Sequence, residues 1–265
     1  MALQISGVRR YGAAPPPTWP NASNTGLAGL GIDPGSLSTS TYVTLNDDEQ
    51  VLEDMYIDGT VYVNAENCII RRCYIDCSND YFGIDPTNSP GLIVEDCTIV
   101  GTELTAACIT DGHDGATYRR LNLSGSMDGI KLGIGATLED SYIHDLSQTE
   151  ESHNDGVQIE TAWDITIRHN AIYSRDTSAI LMGGGEVRES AQNCLIENNY
   201  LDGGAYQLYG PSGGGNVLNG PSANVRILNN TFGPNYLHGH FTAWEYTGGN
   251  VWLGNVDHLG NPVIA

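Results

Sequence analysis

Between residues 52 and 257 one short pattern of apolar and polar positions keeps returning. An apolar residue is followed by two mostly polar ones, a small or amide residue, any residue, and a second apolar one. It reads Ile70-Arg-Arg-Cys73-Tyr-Ile75, Val94-Glu-Asp-Cys97-Thr-Ile99, Tyr118-Arg-Arg-Leu121-Asn-Leu123 and Leu138-Glu-Asp-Ser141-Tyr-Ile143. It continues as Ile167-Arg-His-Asn170-Ala-Ile172, Ile196-Glu-Asn-Asn199-Tyr-Leu201 and Ile227-Leu-Asn-Asn230-Thr-Phe232. Weaker copies stand at Leu52-Glu-Asp-Met55-Tyr-Ile57 and Trp252-Leu-Gly-Asn255-Val256. The fourth position falls at 55, 73, 97, 121, 141, 170, 199, 230 and 255, with spacings of 18 to 31 residues. A helical repeat would be more regular and would carry a 3.6-residue period, which is absent.

Each repeat carries a second strand-like run. These are Phe82–Asp85, Ala107–Thr110, Gly129–Leu132, Gly156–Ile159, Ala179–Met182, Ala205–Leu208 and Phe241–Trp244. Period-two alternation turns Ile130, Leu132, Val157 and Ile159 inward, and Lys131, Gln158 and Glu160 outward. Short strands in variable-length repeats predict an all-β chain, a right-handed parallel β-helix of about nine coils and roughly 40 Å. Like positions then stack about 4.8 Å apart, so Asn170, Asn199, Asn230 and Asn255 form an inward amide ladder that Cys73, Cys97 and Ser141 continue. Residues 49–265 make the β-helix and 21–48 a cap over its first coil. Residues 1–20, with the polyproline-like Ala13-Ala-Pro-Pro-Pro-Thr-Trp-Pro20, make an extended arm.

Composition narrows the partners. The chain has 265 residues, 33 glycines, 11 Lys+Arg and a formal net charge of −21. So acidic a surface repels phosphate and argues against nucleic acid. No apolar run has signal-peptide length, and none reaches the roughly 18 residues that would span a membrane. The six cysteines show no zinc-type pairing; Cys73-x3-Cys77 lacks a second pair, and most read as small apolar core residues rather than a disulfide framework.

Trp19-Pro-Asn-Ala-Ser-Asn-Thr-Gly26 before the first coil and Gly249-Asn-Val-Trp-Leu-Gly-Asn255 in the last resemble the ends of a β-helix family of actinobacteria and their phages. The resemblance spans about residues 18 to 262. Bacterial members look secreted, with a leader and cysteine pairs. This chain shows neither and opens on Met1-Ala-Leu-Gln-Ile-Ser-Gly-Val-Arg-Arg, a departure that favours the phage branch, whose members look like minor tail proteins. The resemblance implies a virion protein meeting host glycan, docked on other tail proteins through residues 1–20, with a homotrimer as the assembly such spikes suggest. It carries no catalytic signature.

The densest polar cluster is Asp85, then Asp111, His113 and Asp114, then Asp128 and Lys131, then His153, Asn154, Asp155, Gln158 and Glu160. Coil stacking would set them on one longitudinal strip. Asp128, Lys131, Asp155 and Glu160 are the catalytic candidates, since two carboxylates held across a groove can divide acid and base roles in glycoside hydrolysis. Lysine can alternatively serve as the base of a β-elimination. Asp85, Asp111, His113, Asp114, His153, Gln158 and Trp244 are candidates for binding sugar. No cofactor is expected, although acidic side chains with Asn154 also suit Ca²⁺. Taken singly, Asp111-Gly112, Asp128-Gly129 and Asp155-Gly156 are ordinary turn formers.

Asn154-Asp-Gly156 resembles a polygalacturonase motif, but Arg175-Asp-Thr177 replaces the expected acidic pair and His238-Gly-His240 lies two coils too far. His238 and His240 lack a third metal ligand. Trp163, Tyr206, Tyr209, Trp244 and Tyr246 could stack on sugars or simply pack. Two functions follow: a phage tail protein binding or trimming surface glycan, and, as the alternative, an extracellular polysaccharide lyase or hydrolase acting alone.

Overall fold

The computed structural model describes residues 19–110, 114–149, 153–159, 161–182, 190–210 and 222–265. The recurring motif builds the same corner in every coil. Its first apolar position is the middle of a three-residue strand, and nine such strands stack in parallel from Val51–Glu53 to Val251–Leu253. On this face, face one, Leu52, Ile70, Val94, Tyr118, Leu138, Ile167, Ile196, Ile227 and Trp252 pair in unbroken register.

The third motif position turns the corner. Asp54, Arg72, Asp96, Arg120, Asp140, His169, Asn198, Asn229 and Gly254 all have φ between 51° and 71°, a left-handed conformation that Asn, Asp and Gly tolerate best. The sixth position then enters face two, where Ile57, Ile75, Ile99, Leu123, Ile143, Ile172, Leu201 and Phe232 stack inward.

Between these faces runs the amide ladder. Asn170 Nδ2 donates to Asn199 Oδ1, Asn199 Nδ2 to Asn230 Oδ1, and Asn230 Nδ2 to Asn255 Oδ1, each at 3.0 Å. Each Oδ1 also accepts the backbone N–H of the Asn one coil below, at 2.9 Å. The column continues downward with Ser141, whose Oγ accepts the Leu121 amide. Below that, the Cys97 and Cys73 thiols donate to the carbonyls of Glu95 and Arg71, as Asn170 Nδ2 does to Arg168. All six cysteines are free and buried.

Face three holds Phe82–Asp85, Ala107–Ile109, Asp128–Leu132, Asp155–Ile159, Ser178–Met182, Tyr206–Tyr209 and Gly239–Thr242. The last of these starts two residues before the run expected at Phe241–Trp244. Phe241 pairs with Leu208, and Ala243 takes φ 58°, which ends the strand at Thr242. The strands Ser38–Leu45 and Met55–Val63 pass through both faces two and three. Stacking therefore begins at Ser38, inside the stretch read as a cap.

Before that, residues 19–31 run along the outside of face two. Trp19 lies over His169 and Tyr200, the Gly26 amide donates to the Arg120 carbonyl, and the Leu27 amide donates to Thr98 Oγ1. The only α-helix among the described residues is Gly26–Gly29, and no helix is long and apolar enough to cross a membrane.

Face one carries a charge pattern on its outer side. The second and third motif positions read Glu53-Asp54, Arg71-Arg72, Glu95-Asp96, Arg119-Arg120, Glu139-Asp140, Arg168-His169 and Glu197-Asn198. Acidic coils thus alternate with basic ones. Arg72 Nε lies 2.7 Å from Asp54 Oδ1, Arg120 Nε 2.6 Å from Asp96 Oδ1, and His169 Nδ1 2.6 Å from Asp140 Oδ1. Single exposed pairs contribute little, but alternation has a second effect. A chain that skipped one coil would lay Arg71-Arg72 against Arg119-Arg120, so like charges oppose the commonest stacking error.

Two outcomes follow. Asn199→Ala removes the acceptor of two Asn170 donors and the donor to Ile167 and Glu197, so equilibrium urea unfolding should show a loss of about 2–4 kcal/mol. The exposed Asn224→Asp should stay within about 0.5 kcal/mol. The double reversal Arg119→Glu/Arg120→Glu should lower stability by about 1–3 kcal/mol in low salt, and the loss should narrow in molar NaCl because screening weakens the new repulsion.

Candidate functional site

Face three positions the polar residues of interest. Inward, Val61, Ile84, Ile109, Ile130, Val157, Ile180, Leu208 and Phe241 form one column. One residue further on stands an outward row: Tyr62, Asp85, Thr110, Lys131, Gln158, Leu181, Tyr209 and Thr242. Lys131 is the only lysine in the chain, and it occupies the middle of this row.

One residue before each inward position the chain has little room. Gly129 and Gly156 sit there with neighbouring backbone so close that a Cβ on Gly129 would come within 2.4 Å of the Gly156 carbonyl oxygen and of Ile143 Cγ2. Neither glycine has a positive φ. These Asp-Gly pairs are therefore strand residues short of room, not the turns expected; Gly115, after Asp114, does take a left-handed φ of 77°. Cys108 and Ala179 fill the same position in the coils below and above, so a small residue is the rule there.

The preceding Asp128 and Asp155 are both buried, at 7% and 2% exposure. They are stacked neighbours. Asp128 Oδ1 accepts the Asp155 amide at 3.0 Å, and Ser178 Oγ, one coil above, donates to Asp155 Oδ1 at 2.5 Å. Lys131 Nζ stands 3.5 Å from Asp128 Oδ2. Burial holds the Asp155 carboxyl well above the ordinary carboxylate range, and the Asp128 charge adds to the rise while Ser178 opposes it. Burial also raises Asp128, against the pull of the Asp155 amide and Lys131. Both carboxyls therefore hold a proton more readily than an exposed aspartate does, beside the Lys131 amine that reaches the surface.

The structure brings together Asp85, Lys131 and Gln158 on the row, with Asp128 and Asp155 beside it. Asp155 is covered, so any role for it acts through Asp128. Asn154 is buried next to the pair, its amide donating to the carbonyls of Met127 and Ser147. His153 is exposed at the start of the same coil. Asp114 is elsewhere, in the turn leading to face one, where its carbonyl accepts the Gly91 amide. Trp244 packs against Trp252 at the C-terminal end of the core, away from the row. Asp111, His113 and Glu160 lie outside the described residues, as does most of the arm over residues 1–20.

Among the described residues no three His, Cys, Asp or Glu side chains gather to hold a metal. Of the other aromatic candidates, Trp163 is fixed by a bond from its Nε1 to the Ser190 carbonyl, whereas Tyr206 and Tyr209 meet edge to face at the upper end of the row. His240 Nδ1 contacts Gln207 Oε1, which belongs to the buried network around Asp202. Ser178 and Tyr62 escape a motif search. Their signal is register alone, since each stands one coil beyond a residue already of interest.

A model of the right-handed beta helix region matches residues 105–253, more than half of the chain. No curated protein and no solved structure matches it.

An acid whose folded-state pKa is raised binds its proton more tightly when folded than when unfolded. Below about pH 4 both states are protonated and nothing is lost; as pH climbs through the raised value, ionisation increasingly disfavours the fold. Asp155→Asn keeps an acceptor for Ser178 and never ionises. Its melting temperature relative to the native chain should therefore climb from about pH 4 upward and level off above the raised pKa, as thermal unfolding across pH will show.

Proposed function

The chain belongs to the right-handed β-helix family, and on that scaffold we propose that face three is a glycan-binding wall. An extended oligosaccharide lies along the rod axis over the row from Tyr62 to Tyr209. Tyrosine rings near both ends offer flat apolar faces to sugar rings, while Asp85, Lys131 and Gln158 exchange hydrogen bonds with hydroxyls. The observation that carries this reading is Lys131: in a chain of net charge −21 the single lysine sits mid-row, partly exposed, with its partner carboxylate loosely placed at 3.5 Å. Such an ammonium is available to a ligand oxygen.

The resemblance of the two terminal motifs to a β-helix family of actinobacteria and their phages supports a setting for this wall, the tail of an actinobacterial phage, with the glycan on the host surface. Cleavage is a second reading, favoured by the buried Asp128–Asp155 pair next to Lys131, in which burial raises both carboxyls. In that case Asp128 touches the reacting sugar and Asp155 sets its charge.

Lys131 permits a direct test. An amine-acylating ester can modify only this side chain and the N-terminus. Fragments of actinobacterial cell-wall polysaccharide should protect Lys131 from the reagent, followed by mass spectrometry, with calcium present or chelated. Lys131→Ala should weaken binding roughly tenfold or more. Lack of protection by every glycan tried sinks the reading. Release of reducing ends or unsaturated sugars, abolished in Asp128→Asn, would identify cleavage; binding without turnover leaves recognition alone.

A further inference from the structure

The two ends of the rod differ in a way the wall does not explain. The first coils, residues 38–58, carry Asp47, Asp48, Glu49, Glu53, Asp54 and Asp58 and no Lys or Arg. The last stretch, residues 222–265, carries only Glu245 and Asp257 against Arg226, so almost none of the −21 resides there. In the face-one column that alternates Glu and Arg through seven coils, coils eight and nine place Leu228 and Leu253.

The terminal layer is apolar as well as uncharged. Leu253 is 66% exposed, Tyr246 66%, Leu259 74% and Ile264 80%. The tail folds over the core, with the Val263 amide on the Asn255 carbonyl and Trp252 Nε1 on the Val263 carbonyl. That seals the interior but leaves Leu259 and Ile264 facing out. Val251–Leu253 and Gly239–Thr242 are the last strands of their rows among the described residues, so their outer edges are unpaired. A solenoid end normally shows a polar outer face, and free apolar edges invite association.

We propose that this C-terminal end is a self-association surface that joins two copies of the chain end to end about a two-fold axis. Charge selects the occupant and the geometry. Copies as acidic as this repel along their walls and at their N-terminal ends, and approach without penalty only where charge is nearly absent. Stacking an N-terminal end on a C-terminal one would bury carboxylates such as Asp47 and Asp48 against leucine, with no cation to pair them. A two-fold contact sets Leu253, Leu259, Ile264 and Tyr246 against their own counterparts. Covering these side chains removes on the order of 450 Å² of apolar surface per copy, the apolar share of an interface of roughly 800 Å² a side.

Sedimentation of the full chain from low micromolar to several hundred micromolar should show the mass rising from 28.4 kDa to twice that. X-ray scattering of the dimer should give a maximum dimension roughly double that of the monomer. Leu253→Glu and Ile264→Glu, both at exposed positions, should each weaken the dimer roughly tenfold or more with unchanged circular dichroism, whereas the equally exposed Leu104→Glu should not. A chain that stays monomeric throughout, a trimer, a dimer no longer than the monomer, or a dimer indifferent to both substitutions would each overturn the proposal.

Discussion

In-register stacking of one coil on the next, every 4.7–4.9 Å, is the constraint on which everything else in this molecule rests. It sets each side chain against its own counterpart, so any property written at one motif position is repeated or alternated up the rod. Apolar residues repeated at the first and sixth positions become continuous columns. Asparagine repeated at the fourth becomes a ladder in which each Oδ1 serves one side-chain and one backbone donor. A lone buried asparagine would leave part of this capacity unmet at a cost of a few kcal/mol. In a column, the unmet groups of one coil are the partners of the next.

Charge obeys the same geometry with the opposite rule. Repetition of a charge up a column would be repulsive, and face one alternates sign coil by coil instead. Asp155 over Asp128 is the one place among the described residues where stacking sets two buried carboxylates together. There the repulsion is relieved by other means: the Ser178 hydroxyl on Asp155 and the Lys131 amine near Asp128. Structure alone gains little from such an arrangement, because an apolar pair at the same positions would avoid the desolvation of both carboxylates. That asymmetry is the physical argument behind the role proposed for the pair.

Much of the architecture was legible in the residues. The nine motif copies, the asparagine ladder and the outward direction of Lys131 and Gln158 follow from spacing and alternation. The alternation of Glu-Asp with Arg-Arg was equally visible, yet it emerges only when third and second positions are read vertically from coil to coil. The site was less legible because sequence spacing does not report which loops return to the same face. Asp114 and Asp128 both precede glycine, but one lies in a left-handed turn and the other inside a strand. Trp244, attractive as a sugar platform, is drawn into the end of the core by Phe241 and Trp252. A local pattern cannot tell a turn glycine from one kept small by a backbone arriving from another coil.

The distribution of polarity along the rod then acquires a direction. The N-terminal coils are acidic and hydroxyl-rich, the middle carries the buried acid pair and the only lysine, and the C-terminal layer is apolar and nearly uncharged. A solenoid that needed only to be soluble would close both ends alike. Here the same fold offers three surfaces of different chemistry at fixed distances along one axis. Because each coil is held by its neighbours, those distances cannot drift, so the ligand proposed at Lys131 and the partner proposed at Leu253 would be registered to one another by the stack itself.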